Sequence, residues 1–120
     1  MSDKCGIKIL QKDAGSKAVI VVRKMTGHSL AEIKGRIAAG DPVVEFDQSD
    51  TDGWATIVQM GHALEAKGIA TQAYLGAFPF PLSYFVNRLR SEKEDIIEEG
   101  REDMYEDEPW WNLDLDQFEE

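Results

Sequence analysis

Cysteine and long apolar runs are scarce or missing in this sequence of 120 residues. The single cysteine, Cys5, has no partner for an internal disulfide, which fits a reducing compartment. No apolar run approaches the roughly 20 residues that a membrane-spanning helix needs. Residues 1–4 are not followed by a hydrophobic stretch with a small-residue cleavage site, so we expect no signal peptide. These absences predict a soluble, cytoplasmic protein with no membrane partner.

Patterns that would indicate an enzyme are missing as well. His28 and His62 are isolated, with no Cys, Ser or Asp arrangement that suggests a nucleophile. There is no Walker-type loop and no dinucleotide-binding glycine pattern. The many carboxylates are spread around a predicted helix, and Asp50-x-Asp52-Gly53 is a fragment of a calcium loop that favours a helix cap. We therefore expect no catalytic residue, no cofactor and no bound metal.

Charge is distributed very unevenly along the chain. Residues 1–90 carry 11 Lys or Arg and 9 Asp or Glu, a net charge of +2. Residues 91–120 carry 2 basic and 14 acidic residues, a net charge of −12. A strongly acidic segment repels nucleic acids and attracts basic proteins. The charge thus favours a basic protein as partner and disfavours direct binding of DNA or RNA.

The apolar fraction of 42% is enough for a hydrophobic core, and the first part of the chain predicts short elements. Residues 7–10 predict a strand, and residues 11–15 predict a turn. Residues 18–22, Ala-Val-Ile-Val-Val, favour a buried strand by their β-branched propensity, but a short buried helix also fits their length. Composition leaves these two alternatives open.

The elements that follow have clearer signals. Ser29 and Glu32 have the spacing of a capping box and predict a helix that ends at Gly40. The apolar face of this helix would consist of Leu30, Ile33 and Ile37. Further along, the pattern predicts a strand over residues 43–46, a helix over residues 54–67 with Ser49 or Asp50 as its N-cap, and a strand over residues 69–75.

The last 43 residues predict an acidic extension. Two prolines in residues 78–81 predict a break, because proline continues neither a helix nor a central strand. Residues 83–105 predict a long helix whose second half is dense in acid. Residues 110–118 alternate apolar and polar side chains, which predicts an extended strand with Trp111, Leu113 and Leu115 on one face.

Several motifs of the first 75 residues occur in a fixed order: Val22-Arg23, then Thr26-Gly27, then Leu30, then Glu32-x-Lys34. Residues 63–68, Ala-Leu-Glu-Ala-Lys-Gly, follow later. In this order and spacing the chain resembles the C-terminal domain of the bacterial ribosomal stalk protein, over about residues 5–75. The resemblance implies an α/β fold of order β-α-α-β-α-β with a three-stranded sheet, and it implies that residues 17–25 form a helix. We therefore predict a stalk-like domain over residues 1–77 and an acidic extension over residues 78–120.

The family's domain recruits translational GTPases through a surface on its first two helices. The resemblance carries that role to Val19, Arg23 and Lys34. Ile20 and Gly15 stand where the family has basic residues, and Ser29 stands where it has a glycine, so half of the basic surface is missing. The dimerising region and hinge of the stalk protein are not seen in this sequence.

The acidic extension carries the second candidate site. Exposed tryptophan is enriched at interface hot spots, and carboxylates around it would steer a basic partner. The candidate partner-binding residues are Tyr105, Asp107, Glu108, Trp110, Trp111, Asp114 and Asp116. Two alternatives compete with partner binding: the segment packs back on the domain as an added strand, or it is a disordered acidic tail.

The sequence as a whole favours a non-enzymatic protein-binding module. The hypothesis is a small acidic inhibitor, of the kind seen in immunity proteins and antitoxins, that sequesters a basic toxin or enzyme by occlusion. The alternative is a translation-linked adaptor that binds translational GTPases through the stalk-like helices.

Overall fold

The computed structural model describes residues 3–11 and 15–118, which fold into a mixed α/β arrangement of four helices and a four-stranded antiparallel sheet. Residues 1–2, 12–14 and 119–120 lie outside the described residues, and with them most of the turn predicted over residues 11–15. The elements in chain order are β1 (Lys4–Ile9), α1 (Gly15–Thr26), α2 (Leu30–Ala39), β2 (Val44–Asp47), α3 (Thr51–Ala66), β3 (Thr71–Leu75), β4 (Phe78–Phe80) and α4 (Leu82–Glu98), followed by short 3₁₀ helices at Glu102–Met104 and Leu115–Phe118.

The sheet has the strand order β2-β1-β3-β4, and β1 pairs with β2 on one side and with β3 on the other. Alternate residues of a strand point to opposite faces, so the register shows which side chains share the core face. On β1 these are Cys5, Ile7 and Ile9, which are buried. Opposite them on β3 stand Leu75, Ala73 and Thr71. Leu75, Ala73 and Thr71 therefore share the core face of β3.

The prediction of a three-stranded sheet is wrong, because residues 78–80 form β4 against β3. The two-residue connection begins with Gly76, whose φ of 60° suits the first central position of a hairpin turn. Pro79 lies opposite Tyr74 on the outermost strand, where a missing N–H is tolerated. The predicted break is therefore wrong at Pro79, which the edge strand accommodates, whereas Pro81 precedes α4 as its N-cap.

The ambiguous β-branched run forms the middle of α1, so the strand alternative is wrong and the helix implied by the resemblance is present. Ala18, Val19 and Val22 are its buried side chains, a spacing that places them on one helical face. Gly27, with a φ of 74°, follows the helix end. Tertiary burial of one face thus outweighs the strand propensity of the individual residues.

The helix predicted after Ser29 is confirmed as α2. The Ser29 Oγ accepts a hydrogen bond from the Glu32 N–H at 3.2 Å, and Gly40 ends the helix with a φ of 75°. Ile33 and Ile37 are buried as predicted, but Leu30 is 41% exposed and does not belong to that face.

The long acidic helix predicted over residues 83–105 is also wrong in its extent. The helix α4 ends at Glu98, and Gly100 follows with a φ of 69°, a left-handed conformation typical of helix termination. A short 3₁₀ helix, Glu102–Met104, takes the place of the predicted last turns. Gly100 is thus the sequence signal for the end of α4.

The terminal segment contains turns and a 3₁₀ helix instead of the predicted extended strand. The Asn112 Nδ2 donates to the Glu106 carbonyl oxygen at 2.8 Å, and the Asp114 carboxylate accepts from the Asp116 N–H at 3.1 Å. Such side-chain to backbone bonds compete with a strand ladder. Leu115 is buried, whereas Trp111 and Leu113 are half-buried.

One hydrophobic cluster extends from the sheet into the acidic extension. It includes Ile7 of β1, Leu64 of α3 and Phe85 of α4, and it continues to Trp110 and Leu115. The division of the chain after residue 77 stays a prediction, and residues on both sides of it contribute to this cluster. The core therefore positions the candidate site directly.

Candidate functional site

The helix α4 provides the platform of the acidic extension. Its buried side chains Phe85, Leu89 and Ile96 follow a helical spacing and bind it to the core. The Phe85 ring lies 4.8 Å from the Trp54 ring of α3. Because one face of α4 is held in this way, its acidic side chains occupy defined positions on the opposite face.

Trp110 anchors the segment that follows α4. Its side chain is only 4% exposed, and its backbone N–H donates to the Asp52 carboxylate of α3 at 3.2 Å. Its ring makes an edge contact with Tyr105 at 5.8 Å between centroids. This packing shows that the segment folds back on the domain, so Trp110 reaches a partner only if the segment leaves the domain.

Trp111 occupies a different position, at the boundary between the core and the solvent. It is half-buried, and its ring stands edge-on to Trp110 with 5.7 Å between centroids. The Lys93 ammonium of α4 lies 5.3 Å from the Trp111 ring centroid, within range of a cation–π interaction. The ring therefore already contacts a cation within the molecule.

Two further contacts hold the end of the described chain. Asp116 forms an ion pair with Arg90 of α4 at 3.4 Å. Phe118 makes an edge contact with His62 of α3, with 5.0 Å between ring centroids. The terminal segment is thus attached to both α3 and α4 along its length.

Exposed carboxylates cover the outer side of α4 and the terminal segment, and we name this set the acidic surface. Asp116 is paired with Arg90 and Glu99 is paired with Arg101, whereas the other members form no ion pair with a basic residue of ranges 3–11 and 15–118. The members are Glu92, Glu94, Asp95, Glu98, Glu99, Asp103, Glu106, Asp107, Asp114 and Asp116.

These charges are placed where they destabilise their own helix. Glu94 and Glu98 are four residues apart on α4, as are Asp95 and Glu99, and like charges at this spacing repel. Glu98 and Glu99 also lie at the helix C-terminus, where the macrodipole disfavours negative charge. The last turn of α4 contains no basic residue. The charge pattern therefore does not serve the stability of α4.

The structure separates the predicted partner-binding residues into three groups. Asp107, Asp114 and Asp116 are exposed, Trp110 is buried, and the remaining three are half-buried: Tyr105, Glu108 and Trp111. Sequence reasoning missed Lys93 and Asp52, which contact the two tryptophans. No local pattern marks either residue, because each acts on a residue distant in the chain.

The alternative surface on α1 and α2 is brought together only in part. Arg23 and Lys34 are exposed, as a partner-binding role requires. Val19 is 4% exposed and contributes to the core, so it is not available to a partner. Ile20 and Leu30, which are 51% and 41% exposed, are the large apolar side chains that these two helices present to solvent.

Groups capable of acid–base or metal chemistry are dispersed in the part of the chain that the structure describes. No set of three His, Cys, Asp or Glu side chains there is arranged to hold a metal ion. His28 lies 3.4 Å from Glu32 on the surface of α2. Burial raises the pKa of the Cys5 thiol to about 11, which keeps the sulfur protonated and unreactive at neutral pH.

A search for helices that could cross a membrane found none among residues 3–11 and 15–118. Comparison of the chain with family models, with curated proteins and with solved structures gave no match. The resemblance to the stalk domain therefore depends on the motifs of the sequence alone.

Proposed function

We propose that this chain is a non-enzymatic protein-binding module, a small acidic inhibitor that sequesters a basic protein by occlusion. The observation that carries the proposal is the acidic surface: like charges stand four residues apart on α4 and at its C-terminus, where the helix dipole disfavours them. Local rules of stability are most often broken where a function requires it. A basic partner would relieve this repulsion, so binding energy and helix stability would be gained together.

The positions of the tryptophans refine the proposed contact. Trp110 would hold the terminal segment on the domain, and Trp111 would take part in binding at the edge of the acidic surface. A lysine or arginine of the partner would replace Lys93 over the Trp111 ring, since aromatic rings attract either cation. The surrounding carboxylates would accelerate encounter and fix the orientation of the complex.

The experiment is affinity capture followed by inhibition. Wild-type protein and a Glu94→Lys, Glu98→Lys double variant are immobilised, and proteins captured from native lysate are identified. We expect a basic protein on the wild type and its loss from the double variant. The control is Glu65→Lys, a single charge reversal at an exposed residue of α3 that is not a member of the acidic surface.

The captured protein is then purified and its activity is titrated with the wild-type chain. Loss of activity at equimolar ratio supports the inhibitor. Equal capture by the charge-reversed variant, or a partner that keeps full activity in the complex, contradicts it.

The second candidate function is an adaptor for translational GTPases. We propose a stalk-type fold for about residues 5–75, supported by the element order β1-α1-α2-β2-α3-β3. Arg23 and Lys34, with the exposed Ile20 and Leu30, would form the contact surface. Arg23→Glu with Lys34→Glu is expected to abolish binding to a purified translational GTPase, whereas the acidic-surface variant leaves it unchanged. The inhibitor proposal requires the opposite pattern.

A further inference from the structure

The strand β2 forms one edge of the sheet. Its inner side pairs with β1, and no strand of ranges 3–11 and 15–118 pairs with its outer side. Hydrogen bonding alternates along an antiparallel pair, and the Gln48 N–H donates to the Asp3 carbonyl of the β1 side at 2.8 Å. By this alternation the backbone groups of Glu45 point away from β1. The outer edge of β2 therefore offers a backbone donor and acceptor to a further strand.

A groove of about 840 Å³ lies beside β2. Its apolar lining comes from Met25 at the end of α1 and from three residues of or before β2: Pro42, Val44 and Phe46. Its polar lining consists of Thr26, His28, Arg36, Asp41, Glu45 and Thr56. The groove has the dimensions of a ligand site and an apolar floor next to an open strand edge.

The two faces of β2 differ in chemistry. Val44 and Phe46 point to the core face, whereas Glu45 and Asp47 are exposed on the opposite face. On the inner side, β1 already matches this pattern: Ile7 is buried opposite Val44, and the Lys4 ammonium lies 2.6 Å from the Asp47 carboxylate. A strand added on the outer side would likewise have one face beside the apolar Val44 and Phe46 and the other beside the acidic Glu45.

We propose that this groove binds an extended segment of a partner protein in which basic and apolar residues alternate. The segment adds a strand to β2, with its apolar side chains against Met25 and Phe46 and a basic side chain beside Glu45. Opposite charges on neighbouring strands stabilise pairing, and backbone bonds to the edge provide affinity. A second copy of β2 is disfavoured as the occupant, because it would bring Glu45 and Asp47 against like charges.

The site lies on β2 and the ends of α1 and α2, so it is separate from the acidic surface and each proposal can fail without the other. The probe is a blocked octapeptide that alternates valine and lysine, titrated into the isotope-labelled full chain while backbone amide shifts are recorded. We expect the largest shifts at Glu45 and its neighbours. Glu45→Lys should weaken peptide binding about fivefold, because a cross-strand attraction becomes a repulsion. Glu65→Lys should leave it unchanged.

Peptide order provides a test that needs no variant. A peptide of the same composition with all valines before all lysines should bind at least several-fold more weakly, because it cannot place its two kinds of side chain on opposite faces. Equal binding of the two peptides overturns the proposal, as do shifts confined to α4 and the terminal segment. Glu45→Pro removes the outward N–H while sparing the bonds to β1, and full affinity in that variant would also overturn it.

Discussion

The helices α2 and α4 of this chain differ in their capping residues and in where their charges lie relative to the helix dipole. In α2, the Ser29 side chain caps the first turn, Glu32 lies near the N-terminus and Arg36 near the C-terminus, which agrees with the helix dipole. In α4, Pro81 offers no side-chain cap, the first turn has no acid, and the C-terminal end is acidic. One helix has charges that stabilise it, and the other has charges that do not.

This difference indicates what each helix contributes to the molecule. The charges of α2 support a local structure, and its buried Ile33 and Ile37 attach it to the core. The helix α4 is held by its apolar face, which packs against α3. Its outer face is therefore free to carry the acidic side chains that binding of a partner would require. Four measurements, ordered by the size of the expected effect, test what stabilises the two parts of the chain, and the last two compare α2 with α4 directly.

The largest effect is expected where the acidic extension enters the core. Trp110→Ala should lower the free energy of unfolding by about 3–5 kcal/mol, since it empties a buried site and leaves a cavity. Trp111→Ala, at a half-buried position, should cost about 1–2 kcal/mol. Urea denaturation followed by far-UV circular dichroism measures both. Equal costs for the two tryptophans would show that the extension does not depend on Trp110 for its attachment.

The next effect is a change of stability with pH, and it arises from Cys5 of β1. The pKa of Cys5 rises from 9.0 to about 11 in the folded protein, because burial disfavours the thiolate. The folded state therefore holds its proton more tightly, and the contribution to stability is complete below pH 9 and is lost as the pH rises through 11. The loss should be at most about 3 kcal/mol, since each unit of pKa difference corresponds to about 1.4 kcal/mol.

The measurement is the difference in unfolding free energy between wild type and Cys5→Ala, taken at intervals from pH 8 to above the thiol pKa. Lysine and tyrosine titrations cancel in this difference. A difference that stays constant over the range would show that the thiol titrates normally.

A smaller pair of effects should have opposite signs. Glu98→Lys in α4 places a positive charge at the helix C-terminus and turns the Glu94 repulsion into attraction, which should stabilise the protein by about 0.5–1 kcal/mol. Glu32→Lys in α2 removes the pairs with Arg36 and His28 and should destabilise it by a similar amount. Thermal unfolding at low salt measures both. Effects of the same sign would remove the contrast between the helices.

The smallest effect separates the two helix starts. Ser29→Ala should cost about 0.5 kcal/mol, because the Glu32 N–H loses an acceptor that is exposed to solvent. Pro81→Ser should change stability by less than about 0.5 kcal/mol, since a new cap bond is offset by greater freedom of the unfolded chain. Denaturation midpoints of the two variants provide the test. A large loss in Pro81→Ser would show that proline itself fixes the entry into α4.

Much of the fold could be predicted from short-range signals. Local signals of a few residues predict the adjacent element in three places: the Ser29 cap, the glycine Gly40 that ends α2, and the alternation along β3. The β-branched middle of α1 could not be assigned by propensity, because burial on one face decided it. Gly76 and Gly100 indicate the β3–β4 hairpin and the end of α4, because each adopts a positive φ that favours glycine.

The candidate site was less predictable than the fold. Exposed acid on Asp107, Asp114 and Asp116 follows directly from composition. The burial of Trp110 depends on Asp52, which is 58 residues earlier in the chain, and no sequence window contains both. Alternation over residues 110–118 indicated a strand, but the side chains of Asn112 and Asp114 bond to nearby backbone and favour turns.

The position of Trp110 has a consequence for biosynthesis. Because Trp110 and Leu115 belong to the hydrophobic cluster, this core is closed only after the chain has been synthesised past residue 115. A chain truncated by a premature stop before residue 110 would retain the sheet and all four helices but expose the apolar surface that these two side chains cover. Cellular proteases would attack that exposed surface, so such truncated products should be degraded faster than chains that contain residues 110–115.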